Sequence, residues 1–294
     1  MKYASGRISD LSGSPAMHAD RSGCTGPTVP LSARLFLGWL LLWLATGCAP
    51  LSTPSLAEIA SGAGLQPVQL AGGAHLLHSY HRQGAGPHAL VFLEGDGRPW
   101  RAGGRVVSPD PTPARPQALI WMSQTAGPAL YLGRPCYGAP TAPGCNPLLW
   151  TYGRYSTAVV DSMALGLNDW LDQHPEVESI TLVGYSGGGV LALLLGERDL
   201  PVTQVITLSS PVDTDIWSDH HRYGGLFASL NPAAIKLWRA DRQRHLYFGA
   251  KDTQVPPPLF IESAGQIPHA QLHIIPGVGH QCCAPAIWLP QLNP

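Results

Sequence analysis

The segment Ser179-Ile180-Thr181-Leu182-Val183-Gly184-Tyr185-Ser186-Gly187-Gly188-Gly189 constrains this chain more than any other. It reads as an apolar strand, then G-x-S-x-G, then the apolar run Val190 to Leu195 of a helix. A serine on so tight a strand-to-helix turn is held at a strained backbone angle, with its hydroxyl pushed out above the sheet. Strand and helix approach too closely there to admit side chains at the flanking positions, which Gly184 and Gly188 satisfy. Gly187 then presents its backbone N–H at a helix start, where the partial positive charge favours an oxyanion.

The 294 residues suit one α/β domain with additional segments. Hydrophobic residues make up 45% of the chain and charged residues 13%, enough apolar material for a sizeable core. A net charge of −1 gives no basic footprint, so nucleic acid is excluded as an expected partner. The 33 glycines and 29 prolines are spread along the chain and imply loop-rich connections rather than disorder.

The N-terminal part reads as separate from the fold. Residues 1–33 are rich in Ser, Gly and Pro without periodicity. Arg34 then precedes the apolar run Leu35 to Leu44, followed by Ala45-Thr46-Gly47-Cys48. That run is too short for a membrane span, which needs about 20 residues, but suits a signal-peptide core. Small residues before a cysteine resemble a bacterial lipobox, in which Cys48 would be lipidated and begin the mature chain. Ala45 stands where such signals usually carry Leu, and the long leading segment makes Met17 a candidate start. An ordinary cleaved secretory signal is the alternative. Expected boundaries are 1–48 for extension and signal, 49–65 for a tether and 66–294 for the folded domain. Both readings place the mature chain at the cell envelope, either held to the membrane through Cys48 or secreted.

Cysteine usage agrees with an oxidising compartment. Cys24 would leave with the signal, so Cys136, Cys145, Cys282 and Cys283 remain with Cys48. Cys136 and Cys145 flank a short Gly/Pro loop and are expected to pair. Cys282 and Cys283 would then form a vicinal disulfide or remain two thiols. No cysteine or histidine spacing supports a metal site.

Strand and helix signals alternate along the remainder. Strands are expected at 67–70 and 74–81, joined by Gly72-Gly73, and at 88–93, 129–132, 179–185, 202–208, 245–248 and 272–275. Helices are expected at 58–65, 116–124, 155–174, 187–197, 233–240, 258–265 and 284–292, with 98–115 and 209–231 as loops. This order predicts a mostly parallel central sheet with helices on both faces and an antiparallel lead-in pair.

A serine hydroxyl is a weak nucleophile and needs a base to take its proton. His280 follows the last strand in the Gly-rich stretch Gly277-Val278-Gly279-His280, and among 12 histidines its position singles it out. His75, His78 and His81 share the lead-in strand, where alternation splits their faces, and read as surface residues. His220 and His221 are placed to line a pocket. The acid that orients the base should follow the penultimate strand, where Asp252 stands; Asp213 and Asp215 are the rivals. The second oxyanion donor should come from Glu94-Gly95-Asp96-Gly97, through the N–H of Asp96 in preference to that of Gly95. The carboxylates of Glu94 and Asp96 should point away and brace the loop, against Arg134 or Arg154.

With these residues in place, the chain resembles the α/β-hydrolase superfamily over 66–294, with the chain order Ser, Asp, His. Glu94 to Gly97, Gly133 to Cys136, Trp150 to Ser156, Gly184 to Gly188, Ser229 to Pro232, and His280 with Cys282-Cys283 resemble a group of bacterial α/β-hydrolases. An aromatic usual after the Cys-Cys pair in that group is replaced by Ala284 and Pro285.

The resemblance implies an α/β-hydrolase fold and a serine hydrolase acting on an ester, thioester or small amide, with no cofactor and a small-molecule or acyl substrate. Two other readings stand beside it. One is a non-catalytic envelope lipoprotein that binds a ligand on a retained fold. The other is redox work or gating through Cys282-Cys283, weighed against simple stiffening of the histidine loop. Trp217, Tyr223 and Phe227 suggest an apolar pocket wall.

Overall fold

The computed structural model describes residues 55–292. The expected signal segment and Cys48 lie outside these residues, as does most of the tether. No helix among the described residues is long and apolar enough to cross a membrane.

Eight strands form one sheet: β1 (Gln66–Gly72), β2 (His75–Arg82), β3 (His88–Leu93), β6 (Ala129–Leu132), β7 (Ser179–Tyr185), β8 (Val202–Leu208), β9 (Gln243–Gly249) and β10 (Ala270–Ile275). Their order is β1-β2-β6-β3-β7-β8-β9-β10. β1 and β2 pair antiparallel, β2 joins β6 antiparallel, and every later neighbour is parallel. The short pair β4 (Trp100–Arg101) and β5 (Val106–Val107) forms a separate hairpin. The sheet is covered by α1 (Leu56–Gly62), α2 (Gln117–Ser123), α3 (Thr157–Asp172), α4 (Gly187–Gly196), α5 (Thr214–His221), α6 (Ile261–Gly265) and α7 (Pro285–Trp288).

The alternation of β7 divides its side chains between two cores. Ile180 and Leu182 face a layer that contains Val159, Met163 and Leu167 of α3 and all the apolar residues of α4. Val183 faces the other layer, with Leu119 and Met122 of α2 and Trp288 of α7. The ten residues of α4 are buried on every side, which accounts for the unbroken Val190-Leu191-Ala192-Leu193-Leu194-Leu195 run.

Sheet order places the site. After β3 the chain passes through α2 on one face and returns as β6. It then crosses back over β3 to β7 and leaves through α4 on the opposite face. A crevice therefore opens beyond the carboxyl ends of β3 and β7. Gly184 stands opposite Leu93 and Thr207, so Ser186 emerges beside the loop 94–97.

Three local expectations are corrected. Thr214–His221 lies within an expected loop but is helical, because the Asp213 carboxylate accepts from the N–H groups of Asp215 and Ile216 and caps it. Residues 233–240 were expected as a helix, but only Pro232–Ala234 makes a helical turn. Trp238 instead lies against the Arg244 guanidinium, and the Arg239 N–H donates to Glu197 Oε2 at 2.6 Å. These tertiary contacts override the propensity of the segment. Residues 98–115 hold the β4–β5 hairpin rather than a structureless loop.

Candidate active site

Ser186 follows the last residue of β7 and precedes the first of α4, with φ 51° and ψ −123°. This positive φ is rare for a side-chain-bearing residue and costs about 1–3 kcal/mol. Close approach makes the neighbouring glycines obligatory. A Cβ at Gly184 would strike the Gly188 carbonyl, and one at Gly188 would strike the Leu93 carbonyl. The Ser186 N–H is anchored on the Leu208 carbonyl at 2.8 Å, which fixes the turn to β8.

His280 comes from the loop after β10, and Asp252 from the loop after β9. The Lys251 N–H donates to the Val278 carbonyl at 2.8 Å, binding these loops to each other. His280 Nε2 lies 3.1 Å from Ser186 Oγ, and His280 Nδ1 lies 2.8 Å from Asp252 Oδ2. A carboxylate accepts, so Nδ1 carries the proton and Nε2 is left to accept from the serine hydroxyl. Burial of Asp252 opposes its charge. The bond from His280 and the Val255 N–H outweigh that opposition and hold the carboxyl below its ordinary range. The rival acids are engaged elsewhere: Asp213 caps α5, and Asp215 accepts from Asn231.

The loop after β3 supplies the opposite wall. The Gly95 N–H is committed to Glu94 Oε1 at 3.0 Å, whereas no acceptor takes the Asp96 N–H among the described residues. Gly187, as the first residue of α4, has no intrahelical acceptor for its N–H. The Asp96 carboxylate lies against Gly187, where an added Cβ would strike Oδ1, but its hydrogen bonds all run to other partners. Its Oδ1 accepts from Arg134 and its Oδ2 from Arg154, each at 2.9 Å, and Tyr155 donates to Oδ2 at 2.6 Å. Burial would raise the Asp96 carboxyl, but the two guanidinium groups dominate and hold it at about 2. The Tyr137 hydroxyl donates to the Asp96 carbonyl at 3.0 Å. Glu94 is buried, accepts from the Ala118 N–H at the start of α2, and is pushed by burial up to about 7.

Ser186 and His280 open into a cavity of about 820 Å³. Trp217, Tyr223, Trp100 and Tyr152 line it. Phe227 is not on its surface; it is exposed and stacks on Tyr152. His220 and His221 do not line the cavity; His221 donates to the Gln254 carbonyl at 2.7 Å, tying α5 to the Asp252 loop. The aromatic pair Trp100 and Tyr152 was missed in the sequence because no local pattern links positions so far apart.

Cys136 and Cys145 are disulfide-bonded, with Cα atoms 5.5 Å apart. Cys282 and Cys283 form a vicinal pair buried against Trp288, whose Nε1–H donates to the Cys283 carbonyl. His75 lies beside the Cys136–Cys145 bridge, whose oxidised sulfurs are not thiolate ligands.

No protein-family model and no curated protein matches the sequence. Among solved structures the chain is similar to an esterase of Pyrococcus furiosus, seen in several crystal forms. In one form the TM-score is 0.55 at 14% identity, covering 79% of this chain and 91% of that one. In another it is 0.55 at 13% identity, covering 80% and 90%. With the strand order above, the protein has the α/β-hydrolase fold.

Proposed function

We propose that this protein is a serine hydrolase that cleaves a carboxylic ester, thioester or small amide through an acyl-enzyme. The observation that carries the reading is the chain of contacts Ser186 Oγ–His280 Nε2 and His280 Nδ1–Asp252 Oδ2, open to a cavity. Ser186 Oγ attacks the carbonyl carbon while His280 Nε2 takes its proton. The carbonyl oxygen becomes an oxyanion, held by the N–H groups of Gly187 and Asp96. The tetrahedral centre collapses, and His280 gives the proton to the departing alcohol, thiol or amine. Water then attacks the acyl-serine, its proton passes to His280, and the second collapse releases the acid and returns the proton to Ser186. Asp252 holds the ring and stabilises its cationic form throughout.

The same reading places the chain with the bacterial hydrolases that share its E-G-D-G, G-Y-S-G-G and His-x-Cys-Cys motifs, and with carboxylic-ester hydrolases as the main class. An activity-based fluorophosphonate probe is expected to label the wild type and not Ser186→Ala. Equal labelling of both proteins sinks the proposal.

We further propose that the mature chain is an envelope lipoprotein anchored through Cys48. Its support is the Leu35 to Leu44 run with the small residues before Cys48, and a disulfide suited to an oxidising compartment. Expression in a bacterial host with radiolabelled palmitate should label the wild type but not Cys48→Ser. A soluble, unlabelled wild type in the medium would count for plain secretion.

A further inference from the structure

We infer that the ester substrate carries an anionic group, a carboxylate or phosphate, set apart from the scissile carbonyl by an apolar spacer. This deepens the hydrolase reading and rests on it. It is motivated by charge at the rim of the cavity. Arg98, Arg115 and Arg222 line the same cavity as Ser186 and His280, and all three are exposed. None of these three guanidinium groups has a carboxylate or hydrogen-bond partner among the described residues. Arg134, Arg154, Arg242 and Arg244, by contrast, are all tied by side-chain bonds.

The cavity lining holds two carboxylates, Glu94 and Asp96. Asp96 is already countered by two arginines, and Glu94 is buried and bonded to backbone N–H groups. The hairpin segment also carries Arg101 and Arg105 against a single acid, Asp110, which accepts from the Thr112 N–H. A chain of net charge −1 thus gathers positive charge around one opening. Low-dielectric walls focus such a field onto an incoming anion.

Arg222 is also the residue at which α5 terminates. Its φ is 56°, in the left-handed region where glycine is strongly favoured. Holding a long side chain there costs about 1–2 kcal/mol, and Arg222 lines the cavity. Trp100, Tyr152, Trp217 and Tyr223 also line the cavity and supply apolar flanks for the spacer. Guanidinium forks then match a carboxylate or phosphate at its far end.

The test compares kcat/KM for two esters of equal acyl length, mono-p-nitrophenyl adipate and p-nitrophenyl hexanoate. At low ionic strength the adipate is expected to be favoured about tenfold or more, and the ratio to fall towards one at about 0.5 M salt, where exposed charges are screened. The variant R98E/R115E/R222E should invert the ratio, and R98K/R115K/R222K should keep a preference for adipate. A wild-type preference for hexanoate, or a ratio that charge reversal does not move, overturns the inference while leaving the hydrolase reading intact. Failure of the hydrolase reading looks different: neither ester is turned over and Ser186 is not labelled. The anion site is then judged by free adipate and inorganic phosphate in thermal unfolding. A rise in Tm for the wild type with either anion, absent in the charge-reversed variant, sustains it, and no rise with either overturns it.

Discussion

Replacing His280 by alanine is expected to lower kcat for p-nitrophenyl hexanoate by about 10⁴- to 10⁶-fold, the scale on which removing the base of a serine–histidine pair acts. The hydroxyl of Ser186 would then face no acceptor for its proton, since His280 Nε2 is the ring nitrogen within 3.1 Å of it. Stability should fall by less than the barrier rises. The imidazole is part-exposed, and Asp252 keeps the N–H bonds of Gln254 and Val255 on Oδ1 at 2.8 and 2.9 Å. The loss of one hydrogen bond to a charged group corresponds to about 1.5–3 kcal/mol. Asp252→Asn makes a sharper companion. An amide can keep its oxygen towards those two N–H groups and turn its own N–H₂ on His280 Nδ1. That arrangement forces the proton onto Nε2, where it faces Ser186 Oγ and blocks proton abstraction. A loss of about 10⁴-fold in kcat with a folded protein is the expected result. A His280→Ala variant that retains a tenth of wild-type kcat would show that the base lies elsewhere.

What could be read in the sequence follows the range of the forces involved. The turn at Ser186 is a local object: an apolar strand, small residues where backbones collide, and an apolar helix are written in consecutive positions. The parallel sheet was legible for the same reason, from the alternation of short apolar runs with helical ones. The helix Thr214–His221 was not legible. Its face is polar and its stability comes from one capping carboxylate, Asp213, and from Trp217 and His221 reaching the Gln254 carbonyl. The cap itself was the available signal. The failed helix at 233–240 shows the converse, a good local propensity defeated by partners at Glu197 and Arg244. Charge alone suggested Arg134 or Arg154 beside the E-G-D-G loop. The structure engages both arginines on Asp96 and adds Tyr155 and Tyr137, which no spacing rule connects.

That cluster yields the largest expected effect on stability, in Asp96→Asn. The substitution keeps the shape of the side chain and removes its charge. Arg134 and Arg154, with side chains only 2% and 7% exposed, would be left as two buried cations without a counter-ion. Breaking a buried pair in this way costs about 3–5 kcal/mol, a large part of the stability of an ordinary domain. The pH dependence separates this cause from simple mispacking. The Asp96 carboxyl sits at about 2 in the fold against an ordinary 3.8. Its stabilisation is therefore fully present above pH ~4 and is lost as pH falls through the folded value. That interval corresponds to about 2–3 kcal/mol. Urea unfolding at neutral pH should show Asp96→Asn weakened by several kcal/mol. Between pH ~4 and ~2 the gap between variant and wild type should narrow, because the wild type alone loses this term. Activity gives a further distinction, since the variant keeps the backbone N–H of residue 96. The side-chain carboxylate holds that N–H in place through three partners from two other loops, and a Cβ at Gly187 would strike Asp96 Oδ1, so the turn and the start of α4 are in close contact. Loosening the clamp should thus lower kcat below the unfolding range, with KM changed less, as expected when a contact made mainly in the transition state is displaced. A variant as stable as wild type across this pH range would mean that the two arginines find other counter-charges.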